Sequence, residues 1–241
     1  MLAILTSLQA TCANAVRFRT RVTVAQQQSP AATRIFCYGD SLTAGTFNMG
    51  EPDQLFPYAP HLERALCANG DSFMVRHRGL PGWTAAAMND NVDDETRGLR
   101  GSLRRIKEAT GDDPPVALAI ILAGTNDLGC YADAASILEA LQGIHLASHA
   151  CNVPTLAVGI PPSGFMARDE YAAKTAAEVN SSLRDWCASE AMADFEPHPI
   201  ATFEPSSGLW SSDGLHFSPE GYRVTGEGLA AAVRRRLLYS S

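Results

Sequence analysis

The stretch "PVALAIILAG", from Pro115 to Gly124, constrains the fold more than any other part of the chain. It is apolar throughout, without the alternation that marks a strand with one wet face, and Pro and Gly bound it. A short unbroken apolar run of this kind reads as a strand buried on both faces. Such strands belong in parallel sheets covered by helices on each side.

The rest of the chain agrees with that reading. "RIFCY" is a short apolar run followed by Gly39, and "SFMVRH" reads as a second strand. Between them, Leu62, Ala65 and Leu66 fall at helical spacing in a segment that stops at Asn69-Gly70. Leu99, Leu103 and Ile106 give the next helix, with Gly111 closing it. After the buried strand come a helix over 133–150, a strand in "PTLAVGI", a helix over 169–190, and a weak final strand or loop in "ADFEPHPI". Ser218 and Pro219 open the last helix as cap and first residue. Arg234, Arg235 and Arg236 lie in its last turns, where cations suit the helix dipole, so this basic run reads as a helix end. Five β-α alternations without an internal repeat predict one three-layer α/β domain.

The 241 residues suit a single core, and the net charge of −7 argues against a nucleic-acid partner. No apolar run approaches the length of an integral membrane segment. Six cysteines without a C-x-x-C pair leave zinc ribbons unsupported and read as free thiols. Cys130 and Cys151 flank a helix that would hold them too far apart for a disulfide. Residues 1–30 differ from the body over 31–241. They are free of acidic residues, contain Arg17, Arg19 and Arg21, and run into "AQQQSPAA". An organelle transit peptide, a secretory signal ending near Ala13-Asn14-Ala15, a disordered tail and an extra edge strand all fit this segment, and the compartment stays open.

In open α/β sheets ligands bind beyond the carboxyl ends of the strands. Four short stretches draw notice there and nearby. "GDSLTAG" places Ser41 just after the first strand, where an adjacent base could activate its hydroxyl. "RGLPGWTA" offers the Gly82 amide at a tight turn, and "LAGTNDLG" offers the Asn126 side-chain amide. With the Ser41 N–H these form a candidate oxyanion hole. "SSDGLHFSPEGY" sets Asp213 three residues before His216, close enough to orient the imidazole and leave Nε2 for Ser41. Each stretch alone reads as an ordinary turn; together they supply every part that an attacking serine requires.

The constellation resembles the SGNH hydrolases, the GDSL-type esterases and lipases, over roughly residues 33–237. "GDSLTAG" matches the family's Ser block, "GLPGWT" its Gly, "GTND" its Asn, and "DGLH" its Asp and His. The resemblance implies a flavodoxin-like sheet of about five parallel strands. It also implies a nucleophile at Ser41, a general base at His216 and an orienting carboxylate at Asp213. Oxyanion donors would come from Ser41, Gly82 and Asn126, and no cofactor is implied. Trp83 departs from the small or polar residue that often follows the family's Gly. The chain is not an ordinary α/β-hydrolase, whose elbow is G-x-S-x-G; here Thr43 lies two residues after Ser41.

Trp83, Phe47, Phe165 and Trp210 are candidates for an apolar substrate wall, against core packing for each. His145 and His149 have metal-ligand spacing, but H-E-x-x-H is absent and no third ligand is evident, so no metal is assigned. Asp194 and Glu196 fit one face of a strand as well as a carboxylate pair for glycoside cleavage. The expected function is hydrolysis of carboxylic esters, of short acyl or acetyl groups, through an acyl-serine, with a small-molecule ester as partner. Acyl transfer by the same intermediate and non-catalytic binding of acyl or carbohydrate groups are the alternatives.

Overall fold

The structure, a computed structural model, describes residues 32–48, 54–110 and 116–238. The leader expected over 1–30 lies outside them. The described residues hold five strands, β1 (Thr33–Gly39), β2 (Phe73–Gly79), β3 (Val116–Leu122), β4 (Thr155–Val158) and β5 (Ala193–Glu196). They form one all-parallel sheet in the order β2-β1-β3-β4-β5, as expected. The order reverses between β1 and β3, so the crevice beyond their carboxyl ends is the topological switch point. "ADFEPHPI", the weakest strand of the sequence, does supply β5.

Among the described residues eight α-helices surround the sheet: α1 (Ser41–Ala44), α2 (Ala59–Cys67), α3 (Ala85–Asp90), α4 (Leu99–Thr110), α5 (Thr125–Gly129), α6 (Ala134–His149), α7 (Glu170–Ser189) and α8 (Pro219–Leu238). Alternate strand residues feed two cores, as the pleat dictates. Phe36, Tyr38, Ala119 and Ile121 join α3, α4, α6 and α7 in one. Ile35, Cys37, Leu118 and Ile120 join α1, α2 and α8 in the other. The unbroken apolar character of β3 is therefore required, because both of its faces are dry.

Polar punctuation sets the helix ends. Ser218 Oγ accepts from the Gly221 N–H at 3.1 Å and caps α8. At its other end Arg234 pairs with Asp71 at 2.6 Å, Arg235 with Glu196 at 2.6 Å and Arg236 with Asp194 at 3.5 Å. The carboxylates on β5 thus tether the last helix, and the basic run is a helix end. Cys37, Cys67, Cys130, Cys151 and Cys187 are free thiols. No described helix is long and apolar enough to cross a membrane.

His145 and His149 turn inward. His145 Nδ1 and His149 Nε2 lie 2.8 and 2.9 Å from the Thr155 hydroxyl, so the pair braces α6 against β4. His198 is buried against the Phe217 ring, 5.1 Å between centroids, and its Nδ1 accepts from the Ile200 N–H at 3.1 Å. Burial lowers His145 to about 3, with His149 adding to the effect, and lowers His198 to about 4 against the opposing contact with the Ile200 carbonyl. The unfolded chain then binds these protons more readily than the folded one. Their contribution to stability is present above the ordinary histidine value of about 6.5 and is lost as pH falls through the lowered values. His198→Asn keeps an acceptor near the Nδ1 position and removes the titration. It is expected to reduce the drop in Tm between neutral pH and pH of about 4, read by thermal scans; an unchanged drop would refute this assignment.

Candidate active site

β1 ends at Gly39 and the chain turns at once into α1. Asp40 caps that short helix, its Oδ1 accepting from the Leu42 N–H at 2.8 Å, and Ser41 is the first helical residue. Leu42 is fully buried beneath, which pins the turn to the core. A Cβ at Gly79, the last residue of β2, would lie 2.0 Å from the Ala44 nitrogen. Only glycine lets the helix that begins with Ser41 sit this close to the neighbouring strand. Burial pushes the Asp40 carboxyl up to about 7, opposed by the Leu42 N–H and reinforced by Asp127.

His216 arrives from the far end of the chain. The Ser211 N–H donates to the His216 carbonyl at 2.8 Å and the Ser218 N–H to the Leu209 carbonyl at 2.9 Å, which closes 209–218 into a compact turn. Gly214, at φ 66°, rounds its tip. Inside it Asp213 Oδ2 is 2.8 Å from His216 Nδ1, while Oδ1 accepts from the N–H groups of Leu215 and His216 at 2.8 and 2.9 Å. Desolvation opposes ionisation of Asp213, yet the hydrogen bonds from the His216 side chain, the His216 N–H and the Leu215 N–H hold it below the usual carboxylate range. A carboxylate there fixes the proton on Nδ1 and leaves Nε2 as an acceptor. Nε2 lies 2.9 Å from Ser41 Oγ, and both residues are buried.

The Gly82 and Asn126 loops are stitched to each other. Asn126 Nδ2 donates to the Trp83 carbonyl at 2.8 Å, and Asp127 Oδ2 accepts from the Ala85 N–H at 2.8 Å. Asp127 is buried, and its carboxylate holds the start of α3. Gly82 sits at φ 79°, a conformation that strains any residue with a side chain. Neither the Ser41 N–H nor the Gly82 N–H has an acceptor among the described residues. An Asn amide carries two N–H bonds, so one remains after the bond to Trp83. Three donors are thus available from the loops that follow β1, β2 and β3.

The aromatic candidates separate. Trp83 is half-buried beside Gly82, with the Arg97 guanidinium 5.8 Å from its ring. Phe47 meets Phe56 edge-on at 5.8 Å, and Phe165 meets Tyr131 at 6.2 Å. Trp210 is a core residue, wedged between Phe203 and Phe217 with centroids at 5.0 and 4.8 Å. Asn48 carries no mark in the sequence; its Oδ1 accepts from Ser211 Oγ at 2.8 Å and ties the loop after α1 to the Asp–His turn. Such a bond joins residues far apart in the chain and has no local pattern. Among the described residues no group of three or more His, Cys, Asp or Glu is placed to hold a metal ion.

A serine, a histidine and an aspartate at the switch point of a parallel α/β sheet define a class, the serine ester hydrolases of the three-layer type. Residues 37–224 match the GDSL-like lipase/acylhydrolase family, and the chain belongs to it. Solved structures share the fold. A carbohydrate acetylesterase from Sinorhizobium meliloti superposes with a TM-score of 0.61 at 21% identity, over 84% of this chain and 99% of that one. A family 3 carbohydrate esterase from Clostridium thermocellum gives 0.64 at 18%, over 86% and 98%. A lipase/acylhydrolase from Enterococcus faecalis gives 0.61 at 20%, over 85% and 96%. No curated protein matches the chain by sequence.

Proposed function

We propose that this ester hydrolase cleaves short-chain carboxylic esters, acetyl esters foremost, through an acyl-Ser41 intermediate. The observation that carries the mechanism is the continuous chain of bonds from Asp213 through His216 to Ser41, at 2.8 and 2.9 Å. Ser41 Oγ attacks the ester carbonyl while its proton passes to His216 Nε2, and Asp213 stabilises the imidazolium. The N–H groups of Ser41 and Gly82 and the Asn126 amide receive the negative oxygen of the tetrahedral intermediate. His216 then protonates the departing alcohol. Water, deprotonated by His216, attacks the acyl group, and the carboxylic acid leaves with Ser41 restored.

Small acyl groups are supported by two short connections at the site. β2 reaches α3 through 80–84 and β3 reaches α5 through 123–124, and Trp83 stands next to the Gly82 donor. Two of the solved structures that share the fold are described as carbohydrate esterases or acetylesterases. Activity against p-nitrophenyl esters of graded chain length tests this. Rates are expected to peak at acetate or butyrate; a maximum at long acyl chains would overturn the size assignment.

Asn126→Ala removes one donor and leaves the relay in place. The expected result is a fall in kcat of about a hundredfold to a thousandfold, with KM for p-nitrophenyl acetate little changed. A rise in KM at constant kcat would mean that Asn126 binds the ground state instead.

A further inference from the structure

The edge strand β2 and helix α4 enclose a second cleft, of about 430 Å³, on the face of the sheet that carries Phe36. Arg34 from β1, Arg76 and Arg78 from β2 and Arg105 from α4 line it, and no carboxylate does so among the described residues. In a chain of net charge −7 this is a local concentration of positive charge. Neither Arg76 nor Arg78 has an ion-pair partner among the described residues, and the bond shown by Arg105 runs to the Thr96 carbonyl at 3.2 Å. The neighbouring His77 reports the same field: its proton affinity is lowered by burial and then by Arg76 and Arg78.

Two further features separate this cleft from a merely charged edge. Phe36, Met74, Ile106 and Ala109 give it apolar walls. Ser102, 3% exposed, also lines it, and its Oγ is buried without a hydrogen-bond partner. A buried hydroxyl left without a partner is destabilising, a cost that a bound acceptor would relieve. Charged residues on an edge strand do protect against strand pairing. That role does not account for Arg34 on an interior strand, Arg105 on a helix, or the buried hydroxyl between them.

We propose that this cleft is a binding site for an amphiphilic organic anion, a phosphate monoester carried on a short apolar stem. Guanidinium groups grip phosphate oxygens in pairs, and a dianion answers several of them at once. The volume lies within the range of small-molecule sites. None of Ser41, Gly82, Asn126, Asp213 and His216 lines this cleft, so the site is distinct from theirs and its function does not rest on the ester chemistry.

Octyl phosphate is the probe, titrated into the full chain by calorimetry at about 0.15 M salt. It is expected to bind more tightly than either inorganic phosphate or octanol. Arg76→Gln/Arg78→Gln is expected to weaken it by about tenfold or more, and Arg105→Gln and Ser102→Ala to weaken it separately. Arg76 and Arg105 are exposed, Arg78 is half-buried and Ser102→Ala removes only an unpartnered oxygen, so these variants should retain Tm and esterase rate, which verifies folding. Vesicles of phosphatidylcholine with phosphatidic acid separate a lipid head group from a soluble ester. Arginine-dependent vesicle binding assigns the former, and octyl phosphate binding without it assigns the latter. Absence of octyl phosphate binding, or binding indifferent to all these substitutions, overturns the site. If the double variant only aggregates more readily while Arg105→Gln and Ser102→Ala bind normally, the arginines serve edge protection.

Discussion

Ser41→Ala is expected to lower turnover of p-nitrophenyl acetate by at least about four orders of magnitude, with the fold and Tm preserved. The substitution deletes one buried oxygen, whose single hydrogen bond among the described residues is to His216. It leaves the Asp40 cap and buried Leu42 that hold α1 in place. Residual hydrolysis would come from the oxyanion donors and from water acting through His216. A fluorophosphonate reagent should label the parent protein at Ser41 and leave the variant unmodified. Labelling at another residue, or a variant with full activity, would remove the acyl-serine mechanism.

Asp213→Asn is expected to cost about ten-thousandfold in kcat, and the reason lies in how this aspartate is bonded. Its Oδ1 accepts two backbone N–H groups, from Leu215 and His216, and only an oxygen can occupy that position. The asparagine carbonyl is therefore held there, which turns the NH2 towards His216 Nδ1. Facing a donor, Nδ1 becomes an acceptor and the ring proton moves to Nε2. The atom that should take the Ser41 proton then already carries one. Tm should change little, because the turn keeps its two backbone bonds, while activity collapses. Activity within about tenfold of the parent would show that Asp213 is dispensable for setting the tautomer.

The main architecture was legible because burial leaves strong local marks. β3 is apolar throughout because both faces of the sheet are covered, and the longer helices show their spacing. The helices α1, α3 and α5 were not legible, since four to six residues cannot display a helical period. All three stand at the site, where the chain turns sharply to present a group. Ser41, Gly82, Asn126, Asp213 and His216 could be singled out as candidates because each sits in a short pattern. Their mutual stitching was not: the bonds Asn126–Trp83, Asp127–Ala85 and Ser211–Asn48 join residues with no shared local signal. Trp210 shows the limit for aromatics. Beside a catalytic turn it suggests a pocket wall, and only its packing between Phe203 and Phe217 makes it core.

The proposed catalytic relay is divided unevenly along the chain. Asp213 and His216 meet within one turn, whereas Ser41 lies 175 positions from His216. During folding the Asp–His half needs only a local closure, but the Ser–His contact awaits the docking of the first strand beside the last turn. Recovery of esterase activity would therefore time the joining of the two ends of the domain. Secondary structure, regained locally, should return before it. In this molecule the enzymatic assay doubles as a clock for one of the longest loops the chain must close.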